Sequence, residues 1–430
     1  MRQAFNLLKQ HKLFSGIYIL GTALTIAMTM TIFIILYVKF GPIYPEENRD
    51  RMLVVKGIKR CPKGKTDNWN MTNGHTYLFA KEHLSKLSHV DAIAISTDGY
   101  EKEKCIGSNE RPVELIKCYT NGDFWRVFNF KFLFGNPYTD KDVKALANVA
   151  VVSRSVTQQL FANENAVGKT IKMKDNVSMK IVGVVDDCSP AATSCFAQIW
   201  MPLSKEYLES NNYDRFLGGL SSYLLCDDKA NIPLAEQDAE RMMKDINKAD
   251  KEYDYFLMGQ PDTFIKSTFR TQIDKGADTK EIPRGFVFLL LAILIIPSLN
   301  LSGMISSRMN GRLSELGIRK AYGATNRQLL FRVINENLLL TAIGSLAGLA
   351  LSFIIVYTAR QWILIVFDEE MPVWYYLDTP MTLSTDMLFN PWVFIAAVAT
   401  CLLLNTASAL LPAWMALRRS IIESIHGHDK

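Results

Sequence analysis

The residues best suited to chemistry are few, and most of them fail on spacing. Gly168-Lys169-Thr170 has the ending of a phosphate-cradling loop, but the first glycine that such a loop needs falls on Asn163. Nucleotide binding is excluded there. His75, His83 and His89 are zinc-ligating types, yet no HExxH stands in the chain, and their spacing reads as exposed helix and loop positions. There is no GxSxG segment and no cysteine in a nucleophile's setting. Cys188 and Cys195, in DDCSPAATSC, are close enough to close a tight disulfide loop; the same spacing suits unpaired buried thiols.

The elements that must position these residues are dictated by hydropathy. The chain has 430 residues, 49% of them hydrophobic, and a mean hydropathy of +0.06, so part of it is buried in lipid. Lys and Arg total 48 against 43 Asp and Glu, a balance that excludes a disordered chain and gives no support to nucleic-acid binding. A hydrocarbon core about 30 Å thick needs about 20 apolar helical residues. Four stretches without a charged residue meet that need: 13–38, 285–305, 337–359 and 392–415. The first is too long for a signal peptide's apolar region and reads as a retained anchor.

Basic flanks resist translocation and so fix orientation. Segments 1–12, 306–336 and 416–430 carry most of the basic excess, which predicts that both termini and the loop 306–336 are cytoplasmic. Residues 39–284 and the short loop 360–391 are then extracytoplasmic. Six cysteines (Cys61, Cys105, Cys118, Cys188, Cys195 and Cys226) fall in the large outer segment, where oxidation permits disulfides.

That outer segment predicts an α+β domain of two lobes. Val149–Ser153 reads as a buried strand, followed by a helix carrying Val156, Leu160 and Phe161, a turn at 163–165, and strands at 169–173, 179–185 and 198–202. Residues 73–87 and 234–250 predict helices, and 113–119 and 223–226 predict strands. The fold class is thus an α-helical membrane protein with four transmembrane helices and a large extracytoplasmic α+β domain. Asn300 and Asn405 suit helix-to-helix hydrogen bonds, and Gly344, Ser345, Ala347, Gly348 and Ala350 predict a close helix contact.

The most informative stretch is SSRMNGRLSELGIRKAYGATNRQLLFRVINE, residues 306–336. Leu313, Leu316, Leu329, Leu330 and Val333 have helical spacing, and Gly323 with Ala324 offers a turn. The expected form is a helix extending from the second span, a turn, and an amphipathic helix running into the third.

Here the chain resembles the MacB/FtsX-type ABC transporter permeases. Their Glu-hydrophobic-Gly-hydrophobic-Arg-Lys-Ala segment followed by Gly-Ala is matched by Glu315, Gly317, Arg319, Lys320, Ala321, Gly323 and Ala324. VVSRSVTQQLFANENAVGKTIKM, MKIVGVVDD and QIWMPLS are similar to the family's outer domain. Leu411-Pro412-Ala413 and Ile422-Glu423-Ser424-Ile425 are similar to its C-terminal pattern, with Ile421 in place of a usual proline.

The resemblance implies a bacterial inner-membrane permease with a MacB-like periplasmic domain. It implies a non-enzymatic chain that dimerises with itself or a related permease and binds a cytoplasmic ABC ATPase, through Glu315, Gly317, Arg319, Lys320, Gly323 and Ala324. No cofactor is expected on the chain itself, ATP and Mg belonging to the partner. A periplasmic adaptor and an outer-membrane channel are further expected partners, besides membrane lipid, with no nucleic acid. The expected work is mechanotransmission for efflux or export of peptides, drugs or lipoproteins. The alternative is an FtsX-like regulator that transports nothing and activates a cell-wall hydrolase.

Overall fold

The computed structural model describes residues 12–367 and 390–418, apart from 65–70, 98–100, 109, 163–164, 174–176, 210–214, 271, 279, 281–282 and most of 286–312. The second expected span, most of the loop 360–391 and the end of the tail lie outside the described residues. The chain divides into two compact units. One is built from residues 1–37, 284–363 and 385–430, the other from 38–283 and 364–384.

In the second unit, six strands pair in a closed ring. Pro112–Thr120 runs parallel to Ile199–Pro202, which is antiparallel to Val149–Ser153. Val149–Ser153 is parallel to Ser178–Val185, and Thr170–Lys172 then pairs antiparallel with that strand. Ile106↔Lys172 links Lys102–Ile106, and this strand returns antiparallel to Pro112–Thr120. The helix Arg154–Phe161 supplies the crossover that the parallel pair requires. Its Val156 and Leu160 join Cys105, Leu115, Val152, Ile171, Ile181, Ile199 and Met201 in one apolar core. Helix and strand approach so closely that a Cβ on Gly107 would lie 2.5 Å from the Leu160 carbonyl oxygen. The strand–helix–strand–strand–strand order expected from 149–202 is observed.

An open sheet continues from the ring. Val90–Ser96, Ser221–Cys226, Met52–Val55 and Asp262–Thr263 pair antiparallel in that order. The join to the ring is a single residue pair, Ser96↔Thr120. Asn121 reinforces it: its backbone N–H donates to the Ile95 carbonyl, its side-chain oxygen accepts from Ile95 N at 2.9 Å, and its amide donates to the Ile93 carbonyl at 2.7 Å. The two expected lobes are therefore parts of one unit, sewn together at the end of Pro112–Thr120.

The helix Ile232–Ala249 buries Ala235, Ala239, Met243 and Ile246, one stripe at helical spacing. Asn247 on the same helix bonds both N and O of Tyr255 (2.7 and 2.8 Å), closing an edge of the small sheet built from residues 58–62, 71–75, 217–218 and 253–256. The helix expected over 73–87 is shorter than its hydropathy pattern. Met71–His75 is a strand, because its backbone pairs with Ile58–Pro62, and only Tyr77–Glu82 is α-helical. Thr76 caps that helix by accepting from the Phe79 N–H.

His75 sits at this strand end, fully buried against Phe79. Its Nδ1 lies 3.0 Å from the Thr76 carbonyl, and its Nε2 has no hydrogen-bond partner. Burial lowers its pKa from 6.5 to about 4. Because the unfolded chain binds the proton more readily, folded stability is complete above pH 6.5 and is lost as pH falls toward 4. Between pH 7 and pH 5 His75 should remove about 2 kcal/mol of stability. Melting the outer unit of the full chain at both pH values should show this loss, and His75→Phe should flatten it.

The described helices of the first unit include Lys12–Phe40, Leu313–Ala321, Asn326–Phe367 and Pro391–Arg418. Ile19–Phe40 and Thr341–Ala359 are long and apolar enough to cross a bilayer. Thr25 and Thr29 donate to the carbonyls of Gly21 and Thr25 one turn back, so these hydroxyls are satisfied within their own helix. The expected close contact of small residues is made by the glycines. A Cβ on Gly348 would lie 2.7 Å from the Ala23 carbonyl oxygen, and one on Gly344 would lie 2.9 Å from the Thr22 methyl. Ala347 and Ala350 are exposed, and Ser345 donates to Thr341 O of its own helix. Gly348→Val should destabilise the membrane unit by about 1–3 kcal/mol through overpacking. Leu346→Val, at a position 72% exposed, should leave the melting temperature in detergent nearly unchanged.

Candidate coupling turn

The segment 313–330 folds as helix, turn, helix, and each end is closed by local hydrogen bonds. Leu313–Ala321 is helical, and Gly323 follows with φ +90°, the left-handed conformation that glycine adopts without strain. The Gly323 N–H donates to the Lys320 carbonyl at 2.9 Å and the Ala324 N–H to the Arg319 carbonyl at 3.0 Å. These two bonds make a Schellman closure. Thr325 opens the next helix with a capping box: Gln328 N donates to Thr325 Oγ1 at 3.3 Å, and Thr325 N donates to Gln328 Oε1 at 3.0 Å. The second helix then runs without interruption from Asn326 to Phe367. The expected surface helix and third span are thus one helix, which continues past residue 359.

The expected coupling residues come together in part. Arg319 donates to Glu315 Oε1 from Nη2 at 2.9 Å and from Nε at 3.2 Å, an i,i+4 pair along the first helix. Both side chains are about two-fifths exposed, so the pair contributes roughly 0.3–0.5 kcal/mol and its main effect is to orient the guanidinium. Lys320 and Ala324 lend the turn their backbone groups. Gly317 lies inside the helix Leu313–Ala321. Sequence reading missed two features. The Thr325-x-x-Gln328 spacing was the available signal for the capping box. The other is a set of exposed apolar side chains around the turn, with Ile318 51%, Tyr322 90% and Phe331 54% exposed, and Arg327 lying 5.8 Å over the Phe331 ring.

Elsewhere, the residues first considered for chemistry are dispersed. Gly168 has φ +85° and leads into the strand Thr170–Lys172, with no helix N-terminus to receive a phosphate. His83 packs its ring against Phe79 and Phe216, while His89 reaches Asp227 at 3.2 Å. Among the described residues no three His, Cys, Asp or Glu side chains gather to hold a metal. Cys188 and Cys195 are buried thiols. Their thiols are engaged separately, Cys195 with Glu46 Oε1 at 3.6 Å and Cys188 with the Ala197 carbonyl at 4.0 Å. The disulfide that their spacing permits is not made, and burial pushes both thiol pKa values well up.

The described residues thus hold two helices long and apolar enough to cross a bilayer and a large α+β domain. The MacB-like periplasmic core domain family matches residues 15–242, and the FtsX-like permease C-terminal family matches residues 286–421. The chain belongs to the MacB/FtsX-type ABC transporter permeases. It is similar to the macrolide export ATP-binding/permease protein MacB of Vibrio parahaemolyticus, with 23% identity over 59% of this chain and 37% of that protein. It is also similar to the pyoverdine export ATP-binding/permease protein PvdT of Pseudomonas aeruginosa, with 24% identity over 55% of this chain and 34% of that one. The chain therefore spans well under half the length of these relatives. Among solved structures, the periplasmic region of MacB from Actinobacillus actinomycetemcomitans aligns with a TM-score of 0.35 and 19% identity, over 50% of this chain and 94% of that one.

The closure at Gly323 is open to a direct test. Placing a side chain at φ +90° costs about 1–2 kcal/mol. Gly323→Val should accelerate hydrogen exchange at the amides of residues 323 and 324, and Gly323→Asn should do so far less. Thr325→Ala should free the first turn of the following helix, at a cost of about 1 kcal/mol.

Proposed function

We propose that this chain is the permease subunit of an ABC exporter, with four spans, both termini cytoplasmic, and the α+β domain in the periplasm. The observation that carries the reading is the turn at 313–330. It is fixed by backbone bonds at the end of the first helix and by the Thr325–Gln328 capping box at the start of the second, yet it leaves Ile318, Tyr322 and Phe331 exposed beside an oriented Arg319. A rigid apolar knob ringed by basic groups suits docking into an acidic-rimmed cleft of a cytoplasmic ATPase. Hydrolysis of Mg-ATP on that partner would displace the turn and, through the helices, the outer domain. The expected assembly holds two permease copies, with an adaptor and outer-membrane channel beyond them.

Mechanotransmission is supported by the apolar character of the spans. Carrying a polar solute through them would require groups to replace its water, since each unsatisfied polar group in hydrocarbon costs several kcal/mol. The spans offer scattered Asn, Ser and Thr and no charge. Relatives named for macrolide and pyoverdine export support an export role here. The FtsX-like match over 286–421 supports a second reading, activation of a cell-wall hydrolase without transport.

Gly323→Val combined with Glu315→Lys should cut ATPase co-purification at least tenfold while leaving the chain inserted; undiminished co-purification would count against the coupling role. In a background without native cysteines, a cysteine at Lys104 should react with a membrane-impermeant thiol reagent on intact spheroplasts, and one at Arg327 should not. Reaction at both would sink the topology. The two functional readings separate on the outer partner captured by cross-linking from Lys104, an adaptor for export or a peptidoglycan hydrolase for regulation.

A further inference from the structure

The strand order brings two chain ends of the outer unit together, the entry from the first helix and the return segment 262–270, and one side chain binds both. Arg49 is 4% exposed. Its Nη1 donates to the carbonyls of Val38 at 2.8 Å, Lys39 at 3.3 Å and Gly41 at 2.9 Å, at and just beyond the end of the helix Lys12–Phe40. Its Nη2 donates to the Ala191 carbonyl at 3.2 Å, and its Nε donates to Glu46 Oε2 at 2.7 Å. Glu46, also buried, uses its other oxygen to accept from Ser194 N at 2.8 Å. The guanidinium lies 4.4 Å over the ring of Phe264, on the return segment.

The return segment is itself fixed by a second buried pair. Arg270 Nε donates to Asp262 Oδ2 at 2.5 Å and Nη2 to the Met258 carbonyl at 3.1 Å, while Nη1 donates to the Lys275 carbonyl. Phe269 meets Phe40 with ring centroids 5.8 Å apart. Helix end, return segment and the loop 189–197 are thereby cross-tied at one point.

We propose that Arg49 is the coupling post of the outer domain, a positioning residue that makes the last turn of the first helix and the segment 262–270 move as one body. Without it, a displacement arriving along the helix would be absorbed by fraying of Val38–Gly41 before it reached the sheets. The clamp is local and stands on geometry alone; its role in transmission rests on the permease reading above.

The test uses the full chain with its co-expressed ATPase in lipid nanodiscs, as wild type, Arg49→Met, and Glu46→Gln/Arg49→Met. The double variant leaves no uncompensated buried charge and keeps an acceptor for Ser194 N–H, so it reports if the single variant fails to fold. Hydrogen exchange over 38–41 and 264–270 should rise about tenfold or more in the variants, with 149–185 unchanged as internal reference. The ATP-driven change in distance between spin labels at Lys104 of the two copies should be large in wild type and at least halved in the variants, while ATP hydrolysis continues. Unchanged exchange at 38–41, or faster exchange with the full distance change retained, overturns the coupling post and leaves the permease reading standing. A wild type with no ATP-driven distance change overturns the transmission reading and with it the role of Arg49, and the exchange result then still decides whether the clamp exists.

Discussion

A helix cannot satisfy the last carbonyls of its own backbone, and this one ends at the start of a folded domain, where those carbonyls must find donors in protein. Arg49 supplies them. Its five-donor fork is the one side chain that can serve several carbonyls and a carboxylate at once while staying charged. A buried guanidinium is costly to desolvate, and Glu46 with the surrounding carbonyls offsets that cost only as a complete set. Truncating one partner would leave an uncompensated charge, worth about 3–5 kcal/mol of destabilisation, so the arrangement holds as a whole or not at all. The loop carrying Ala191, Ser194 and Cys195 and the segment carrying Phe264 take their places around that requirement.

The turn at Gly323 solves the same problem with different groups. There the helix end lies at the protein surface, no buried cation is required, and backbone N–H groups close the helix once Gly323 enters the left-handed region. The two solutions have different consequences. The Arg49 joint is anchored by contacts far apart in sequence and depends on the whole outer domain. The Gly323 turn depends only on residues 318–329 and can keep its shape while partners come and go, and this local origin lets it display Tyr322 and Phe331 without collapsing onto them.

That difference also explains what was legible in the sequence. Features set by neighbouring residues could be read directly. The strand and helix of 149–161 show in VAVVS and the helical spacing after it, and the turn shows in Gly323-Ala324-Thr325. The apolar stretches 13–38 and 337–359 fixed two helices in length, though not the continuation of the second to Phe367. Features set by distant pairing could not be read. Met71–His75 has a helix-compatible pattern and becomes a strand because Ile58–Pro62 lies alongside. The closure of six strands into a ring needs Ile199–Pro202 to meet both Val149–Ser153 and Pro112–Thr120, which no local signal announces. Nothing in EENRDR marks Arg49 and Glu46 for burial, since burial is a property of what the chain brings to them.

The position of the ring relative to the open sheet carries a mechanical implication. Their shared strand Pro112–Thr120 meets Val90–Ser96 at one residue pair, and Asn121 adds three hydrogen bonds where a longer ladder would otherwise be needed. A join this narrow resists separation through well-aligned buried bonds, but it offers little resistance to twisting about the strand axis. The clamp at Arg49 touches both parts, the open sheet through Phe264 next to Asp262–Thr263, and the ring through Ala191 and Ser194 in the loop between Ser178–Val185 and Ile199–Pro202. Displacement delivered there would therefore reach the open sheet and the ring together, without having to cross the join at Asn121. On the proposed reading of a domain that works by moving, rigidity is required at the point where force enters, and the clamp supplies it to both parts at once.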